Sequence, residues 1–106
     1  MAKYMVTGSY TVDGLKGVLK EGGTGRRKAV EAAVKAIGGH LEALYFAFGE
    51  HDVVTIVDVP DNVTAATLSM GIAATGTVRT RTTVLLTPEE VDQATKKTFA
   101  FRPAGQ

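Results

Sequence analysis

Three consecutive residues in the middle of the chain carry side chains that can transfer protons or bind a cation. They are Glu50, His51 and Asp52, and His51 is one of only 2 histidines among 106 residues. Imidazole titrates near neutral pH, and neighbouring carboxylates can orient it or share a cation with it. The segment therefore predicts a catalytic acid/base cluster. The alternative is a polar hairpin turn, in which adjacent side chains point apart and serve solvation and backbone geometry.

Arg79 and Arg81 form a second candidate site. One residue separates them in a segment with strand-like alternation, so both side chains are predicted to share a face. A buried guanidinium group requires a carboxylate or an anionic ligand. Three interpretations stay open: recognition of a small organic anion, ion pairs with Glu42 or Asp58 across a subunit interface, and charges that block pairing at an edge strand.

Arg26 and Arg27 follow a glycine-rich segment, and Thr24 is predicted to cap the helix that contains them. Free backbone N–H groups and the dipole at a helix amino terminus favour anions, so the two arginines are candidate ligand-binding residues. The Gly-Lys-Ser/Thr of a nucleotide-binding P-loop is missing. The alternative is a solvated helix start in which the arginines pair with Glu21 or Glu31.

Aromatic residues supply a further possibility. We expect Tyr10 to join Arg79 and Arg81 around the ligand. A flat apolar ligand could also lie among several aromatic rings, although core packing explains such rings equally well. These rings belong to Tyr4, Tyr10, Tyr45, Phe46 and Phe48.

Four segments with alternating apolar residues are predicted strands, namely 4–11, 40–48, 52–59 and 78–86. The second and third are joined by a short turn and should form an antiparallel hairpin. Strict alternation predicts that Leu41, Ala43 and Tyr45 share one face of this hairpin. Both faces of the hairpin are apolar, so a covering layer is expected on each.

Helical spacing of apolar residues predicts three helices between and after these strands. The first covers 12–37 with a break in the glycine-rich segment. The second begins after Asp61 as N-cap and stops near Gly76. The third begins with the Thr87-Pro88-Glu89-Glu90 capping signal and continues through Lys97. The two phenylalanines of the tail, Phe99 and Phe101, are expected to dock, either on this chain or on a neighbour.

The resulting order predicts an α+β fold, a ferredoxin-like βαββαβ sandwich with one antiparallel four-stranded sheet and a short C-terminal helix. Right-handed crossovers place the first and third strands centrally. The chain, 1–106, is expected to form a single domain. Because the helices cover only one face, two sheets are predicted to pack face to face as a dimeric α/β barrel.

Composition narrows the function classes. Lys plus Arg total 12 and Asp plus Glu total 11, so no charge excess indicates a nucleic-acid or membrane partner. The chain has 0 cysteines, which excludes disulfides and thiolate metal sites. Neither a signal peptide nor an apolar run of about 18 residues is present, so a cytoplasmic protein is expected. No cofactor or resident metal is predicted.

Several segments together resemble the GYD domain family across nearly the whole chain. They are the opening strand from Tyr4, the Gly-Gly-Thr-Gly-Arg-Arg run, the hairpin turn from Phe48, and the segment from Val78 to Glu90. The family is named for a Gly-x-Tyr-Asp-like motif, in which Gly49 and Asp52 match while His51 occupies the tyrosine position. The resemblance implies a bacterial protein of the dimeric α/β barrel group, and it assigns no activity.

These observations support three functions. The first is a homo-oligomeric small-ligand-binding or sensory domain, in which Arg79 and Arg81 recognise the ligand. The second is a cofactor-independent enzyme similar to the small monooxygenases or isomerases of the same barrel group, with His51 as the acid/base. The third is a purely structural assembly module. A pocket that contains His51 would favour the enzyme, and a turn that points into solvent would exclude it.

Overall fold

A computed structural model describes the whole chain, residues 1–106. It contains four strands and three helices in the predicted order. They are β1 (Ala2–Tyr10), α1 (Val12–Ala36), β2 (His40–Phe46), β3 (Val53–Val59), α2 (Asn62–Ala73), β4 (Val78–Leu85) and α3 (Pro88–Thr95). The α+β class and the ferredoxin-like arrangement with a short C-terminal helix are confirmed.

The four strands form one antiparallel sheet in the order β2-β3-β1-β4. The two central strands are therefore β1 and β3, as the rule of right-handed crossovers predicts. Residues directly opposite in an antiparallel pair share a face, so the register fixes the two faces of the sheet. Tyr4, Val6 and Gly8 lie on the face toward α1 and α2, and the intervening residues of β1 lie on the open face.

The core lies between the sheet and the first two helices. Its most enclosed side chains are Val34 of α1 and Val57 and Val59 of β3, which are at most 1 % exposed. The ring of Tyr4 is buried among them, and its hydroxyl donates a hydrogen bond to the side chain of Asn62 at the start of α2. Burial of a tyrosine ring is compatible with folding because the hydroxyl finds this partner.

The break in α1 occurs at Gly22, the one residue of this helix with non-helical torsion angles (φ 79°, ψ 170°). This positive φ is accessible to glycine without the steric penalty that a Cβ would impose. The predicted cap at Thr24 is wrong, because Thr24 lies inside the second half of the helix. The break itself was predicted within the correct glycine-rich segment.

The capping signals of the other two helices are confirmed. The side chain of Asp61 accepts a hydrogen bond of 2.8 Å from the backbone N–H of Thr64, and the two hydrogen bonds from Thr64 lower the pKa of this carboxyl. Thr87 and Glu90 form a reciprocal capping box at the start of α3. Each cap satisfies backbone N–H groups that a helix leaves without an internal partner.

A β-bulge changes the faces of β2. Leu41 pairs with Val57, but the next paired residue, Ala43, lies opposite Ile56, so Glu42 is the extra residue. Leu41 consequently lies on the helix-facing side of the sheet and packs against the core. The prediction that Leu41 shares a face with Ala43 is therefore wrong, because a bulge shifts the alternation by one residue.

The C-terminal segment gives the molecule an elongated shape. All residues from 88 to 106 are exposed, and α3 has no buried residue. Phe99 and Phe101 are 84 % and 74 % exposed and contact each other edge to face. The radius of gyration is 16.9 Å, whereas a compact chain of this length has about 13 Å. No helix has the length and apolar character needed to cross a membrane.

The start of α1 is fixed against the loop that precedes β4, and this contact yields a testable prediction. The backbone N–H of Thr11 donates to the carbonyl of Thr77 at 3.0 Å, and a Cβ on Gly14 would lie 1.9 Å from the same carbonyl oxygen. Gly14→Ala should lower the free energy of unfolding by about 1–3 kcal/mol, because the helix must move away from this loop. Urea denaturation followed by circular dichroism measures the change.

Gly17→Ala in the same helix is the matched control. A Cβ at this position meets no atom within 4 Å, so the substitution should raise the free energy of unfolding by about 0.5–1 kcal/mol through helix propensity alone. Equal effects of the two substitutions would contradict the close approach of α1 to Thr77.

Candidate functional site

A polar cleft of about 210 Å³ lies on the open face of the sheet, and none of its lining residues is hydrophobic. It brings together the two main candidate sites of the sequence, the hairpin turn and the arginine pair. The cleft is lined by Thr7, Ser9, Glu50, His51, Arg79, Thr80 and Arg81. Residues from β1, from the loop between β2 and β3, and from β4 thus form one site.

The register of β1 and β4 places the arginines in this cleft. Arg79 lies opposite Ser9 and Arg81 lies opposite Thr7, so both guanidinium groups project from the open face, as the alternation predicts. Thr7 is only 5 % exposed although it lies on this face. The base of the cleft is therefore made of hydroxyl-bearing side chains, and its rim carries the cationic groups.

The loop between β2 and β3 brings His51 to the same cleft. This loop is longer than the predicted turn, because β2 ends at Phe46 and β3 begins at Val53. Phe48 in this loop has a left-handed backbone (φ 52°), and its ring stacks on Phe46 with 5.9 Å between centroids. His51 is half-buried, whereas Glu50 is exposed. The turn thus places an imidazole and one carboxylate beside two guanidinium groups.

Asp52, the third residue of the predicted catalytic cluster, binds the backbone of β1. Its Oδ2 accepts a 2.8 Å hydrogen bond from the N–H of Tyr10, and its own N–H donates to the carbonyl of Gly8 at 2.8 Å. Its carbonyl accepts from the N–H of Ala47 at 3.0 Å. Asp52 therefore ties the hairpin loop to the end of β1, and it does not line the cleft with His51.

Neither Arg79 nor Arg81 forms an ion pair or a side-chain hydrogen bond within the chain. The two carboxylates considered as their partners across an interface are already hydrogen-bonded to one cation. Lys3 Nζ lies 2.7 Å from Glu42 Oε2 and 2.9 Å from Asp58 Oδ1, and these contacts raise the pKa of Lys3 above its ordinary value. The arginine pair is thus the cationic group of the open face that has no partner of its own in the chain.

Arg26 and Arg27 have the carboxylate partners that the alternative interpretation named. Arg26 Nη1 lies 3.2 Å from Glu21 Oε2, and Arg27 Nε lies 3.4 Å from Glu31 Oε1. The second is an i,i+4 pair on an exposed helix surface, where such pairs contribute little to stability. Neither arginine lies near the cleft.

Tyr10 lies on the other face of the sheet from Arg79 and Arg81. It pairs with Val78 and lines an apolar cavity of about 120 Å³ between the sheet and the two long helices. Arg26 lines the same cavity. The structure therefore does not bring Tyr10 into the arginine site, and it places it with a candidate residue from α1. Sequence reasoning missed this cavity, because its lining is indistinguishable from ordinary core residues.

The remaining aromatic residues do not form a common pocket. Tyr4 is a core residue at 2 % exposure, and Tyr45 is 72 % exposed on the open face. His40, the second histidine, is exposed at the start of β2. No group of three or more His, Cys, Asp or Glu side chains is arranged to hold a metal ion.

Comparison with known proteins identifies a family. The model of the family described as the GYD domain matches residues 4–95, from within β1 to the end of α3. No curated protein matches the chain. The resemblance drawn from the strands, the hairpin turn and the arginine-bearing segment is therefore confirmed.

The contacts of Asp52 predict a structural effect that separates it from its neighbour. Asp52→Ala should lower the free energy of unfolding by about 1–2 kcal/mol, because the N–H of Tyr10 loses its acceptor. Glu50→Ala is the control, since Glu50 is exposed and makes no side-chain hydrogen bond, and its change should stay within about 0.5 kcal/mol. Urea denaturation of both variants checks this, and equal stabilities would rule out Asp52 as the tie between loop and strand.

Proposed function

We propose that this chain, which belongs to the GYD domain family, is a homo-oligomeric ligand-binding or sensory domain that holds a small organic anion through Arg79 and Arg81. The observation that carries the proposal is the polar cleft, in which two guanidinium groups without a partner in the chain lie beside one exposed carboxylate. Guanidinium groups bind carboxylates through paired, charge-assisted hydrogen bonds. The cleft therefore matches an anion in charge and in hydrogen-bonding capacity.

The spacing of the arginines favours a ligand with two anionic groups or one branched anionic group. Positions i and i+2 of a strand are about 6.6 Å apart at Cα, and the side chains leave the same face. Thr7 and Ser9 lie on β1 directly opposite Arg81 and Arg79, and their hydroxyl groups offer further hydrogen bonds in the cleft. A short dicarboxylate is the simplest molecule with these properties.

The apolar character of the open face supports the homo-oligomeric part of the proposal. This face carries half-buried apolar side chains that α1 and α2 do not cover, together with the exposed ring of Tyr45; they are Met5, Ala43, Val54, Ile56 and Leu85. A contiguous apolar surface of this kind marks an interaction site in a soluble protein. A second copy covering it would also enclose the cleft and so strengthen the attraction between the arginines and an anion, since water would be excluded.

Native mass spectrometry of the purified protein tests the association. We expect a dimer or a higher oligomer for the wild type and a monomer for Ile56→Lys, because a lysine at the centre of the open face opposes packing against a second sheet. Leu19→Lys is the matched control, since Leu19 is 79 % exposed on α1 and lies away from this face. A monomeric wild type, or an Ile56→Lys variant that remains oligomeric, contradicts pairing through the open face.

Titration with succinate tests the ligand site. The side-chain Nε–H signals of Arg79 and Arg81 in NMR spectra should shift on binding, and Arg79→Ala should weaken binding about tenfold or more, since a charge-assisted contact is lost. Arg27→Ala is the control, because it removes the same charge from a surface that does not line the cleft. Unchanged arginine signals, or equal losses in the two variants, would exclude the anion site.

A cofactor-independent enzyme is the second candidate, because His51 lines the same cleft as the arginine pair. In that function the arginines hold an anionic substrate, and the imidazole accepts or donates a proton. The succinate titration also addresses this candidate. Ring protons of His51 that do not respond to the bound anion would exclude direct proton transfer. An oligomer that binds no anion would instead favour the third function, a structural assembly module.

A further inference from the structure

The apolar cavity between the sheet and the helices is separate from the proposed anion site. Of its 16 lining residues, 11 are hydrophobic, and its volume is about 120 Å³. Val6 and Tyr10 of β1 reach it from the sheet, and Leu68 and Ile72 reach it from α2. The cleft is centred on the opposite face of the same strands, and only Thr7 and Thr80 line both spaces.

The composition of α1 leaves this space unfilled. Ala29 and Ala33 line the cavity at positions one helical turn apart, where larger apolar residues would fill it. Both alanines are also exposed to solvent. The cavity therefore opens along this side of α1, and a small molecule can reach it without unfolding of the domain.

The buried polar groups around the cavity do not depend on water for hydrogen bonds. No buried side-chain nitrogen or oxygen in the chain lacks a hydrogen-bond partner, and the hydroxyl of Thr55 within the lining donates to the carbonyl of Val6 at 2.8 Å. A water molecule requires two or more polar partners to be held in place, and an enclosed apolar cavity of about 150 Å³ accepts benzene. The lining and the volume thus match a single apolar ring.

Arg26 gives the open side of the cavity a charge. It lies one turn before Ala29 and Val30 on the same side of α1, and its side chain is 32 % exposed. Its contact with Glu21 uses one terminal nitrogen at 3.2 Å, and that carboxylate is itself 43 % exposed. A guanidinium group has five N–H donors, so donors remain for a ligand carboxylate.

We propose that this cavity binds a small aromatic carboxylate, with the ring between the helices and the sheet and the carboxylate on Arg26. Apolar lining supplies the attraction for the ring, and the arginine at the mouth fixes its orientation. This proposal uses residues on the opposite face from Arg79 and Arg81. It can therefore be tested independently of the proposed anion site.

Benzoate and toluene are the probes, and NMR of the methyl groups of Val6, Leu68 and Ile72 reports occupancy of the cavity. The wild type should bind benzoate about tenfold or more tightly than toluene. Arg26→Gln should remove this preference and leave toluene binding unchanged. Absence of methyl shifts with both probes, or a benzoate affinity that is unaffected by Arg26→Gln, overturns the proposal.

Substitutions that fill the cavity with a larger side chain provide a second test of the proposal. Ala33→Leu should abolish binding of both probes, while Ala32→Leu, on an exposed part of the same helix outside the cavity, should not. Ala29→Leu replaces Ala33→Leu if the latter fails to fold. Methyl shifts that persist when a leucine occupies the cavity contradict the site. Arg79→Ala should leave the methyl shifts unchanged, which separates this result from a failure of the anion site.

Discussion

The two-sided hydrogen bonding of β1 is the constraint from which both candidate sites follow. Because β1 pairs with β3 on one side and β4 on the other, its backbone groups are directed within the sheet and its side chains must alternate between the faces. Ser9 lines the polar cleft, Val6, Gly8 and Tyr10 line the apolar cavity, and Thr7 lines both. A shift of register by one residue would exchange the two linings.

The contacts of Asp52 connect this strand to the chemistry of the loop. Without a tie between the loop and the end of β1, the six residues between β2 and β3 would leave His51 free to point into solvent. The hydrogen bonds to Gly8 and Tyr10 instead hold the loop beside Arg79 and Arg81. Asp52, the aspartate of the Gly-x-Tyr-Asp-like motif, thus has a structural role that does not require it to take part in catalysis.

Most of the architecture is readable from the sequence because it depends on local rules. Regular alternation located β4 and the shared face of Arg79 and Arg81, and capping residues located α2 and α3. The bulge at Glu42 was missed, because one inserted residue has no local signature and only the pairing partner reveals it.

The proximity of His51 to the two arginines was missed for a related reason, since it depends on the register between separate strands. The cavity was missed because it results from small residues, Ala29 and Ala33, within an otherwise regular helical pattern.

The break at Gly22 divides α1 into two halves that are held to different parts of the molecule. The first half is held by the contact of Gly14 with Thr77, and the second by the fully enclosed Val34. Helical cooperativity is transmitted through consecutive backbone hydrogen bonds, and a non-helical residue interrupts it. The two halves can consequently open as separate units with their own free energies of local unfolding. The first half contributes no residue to the core cluster, so it can open while the second half, which carries Val34 and the cavity wall of Ala29 and Ala33, stays in place.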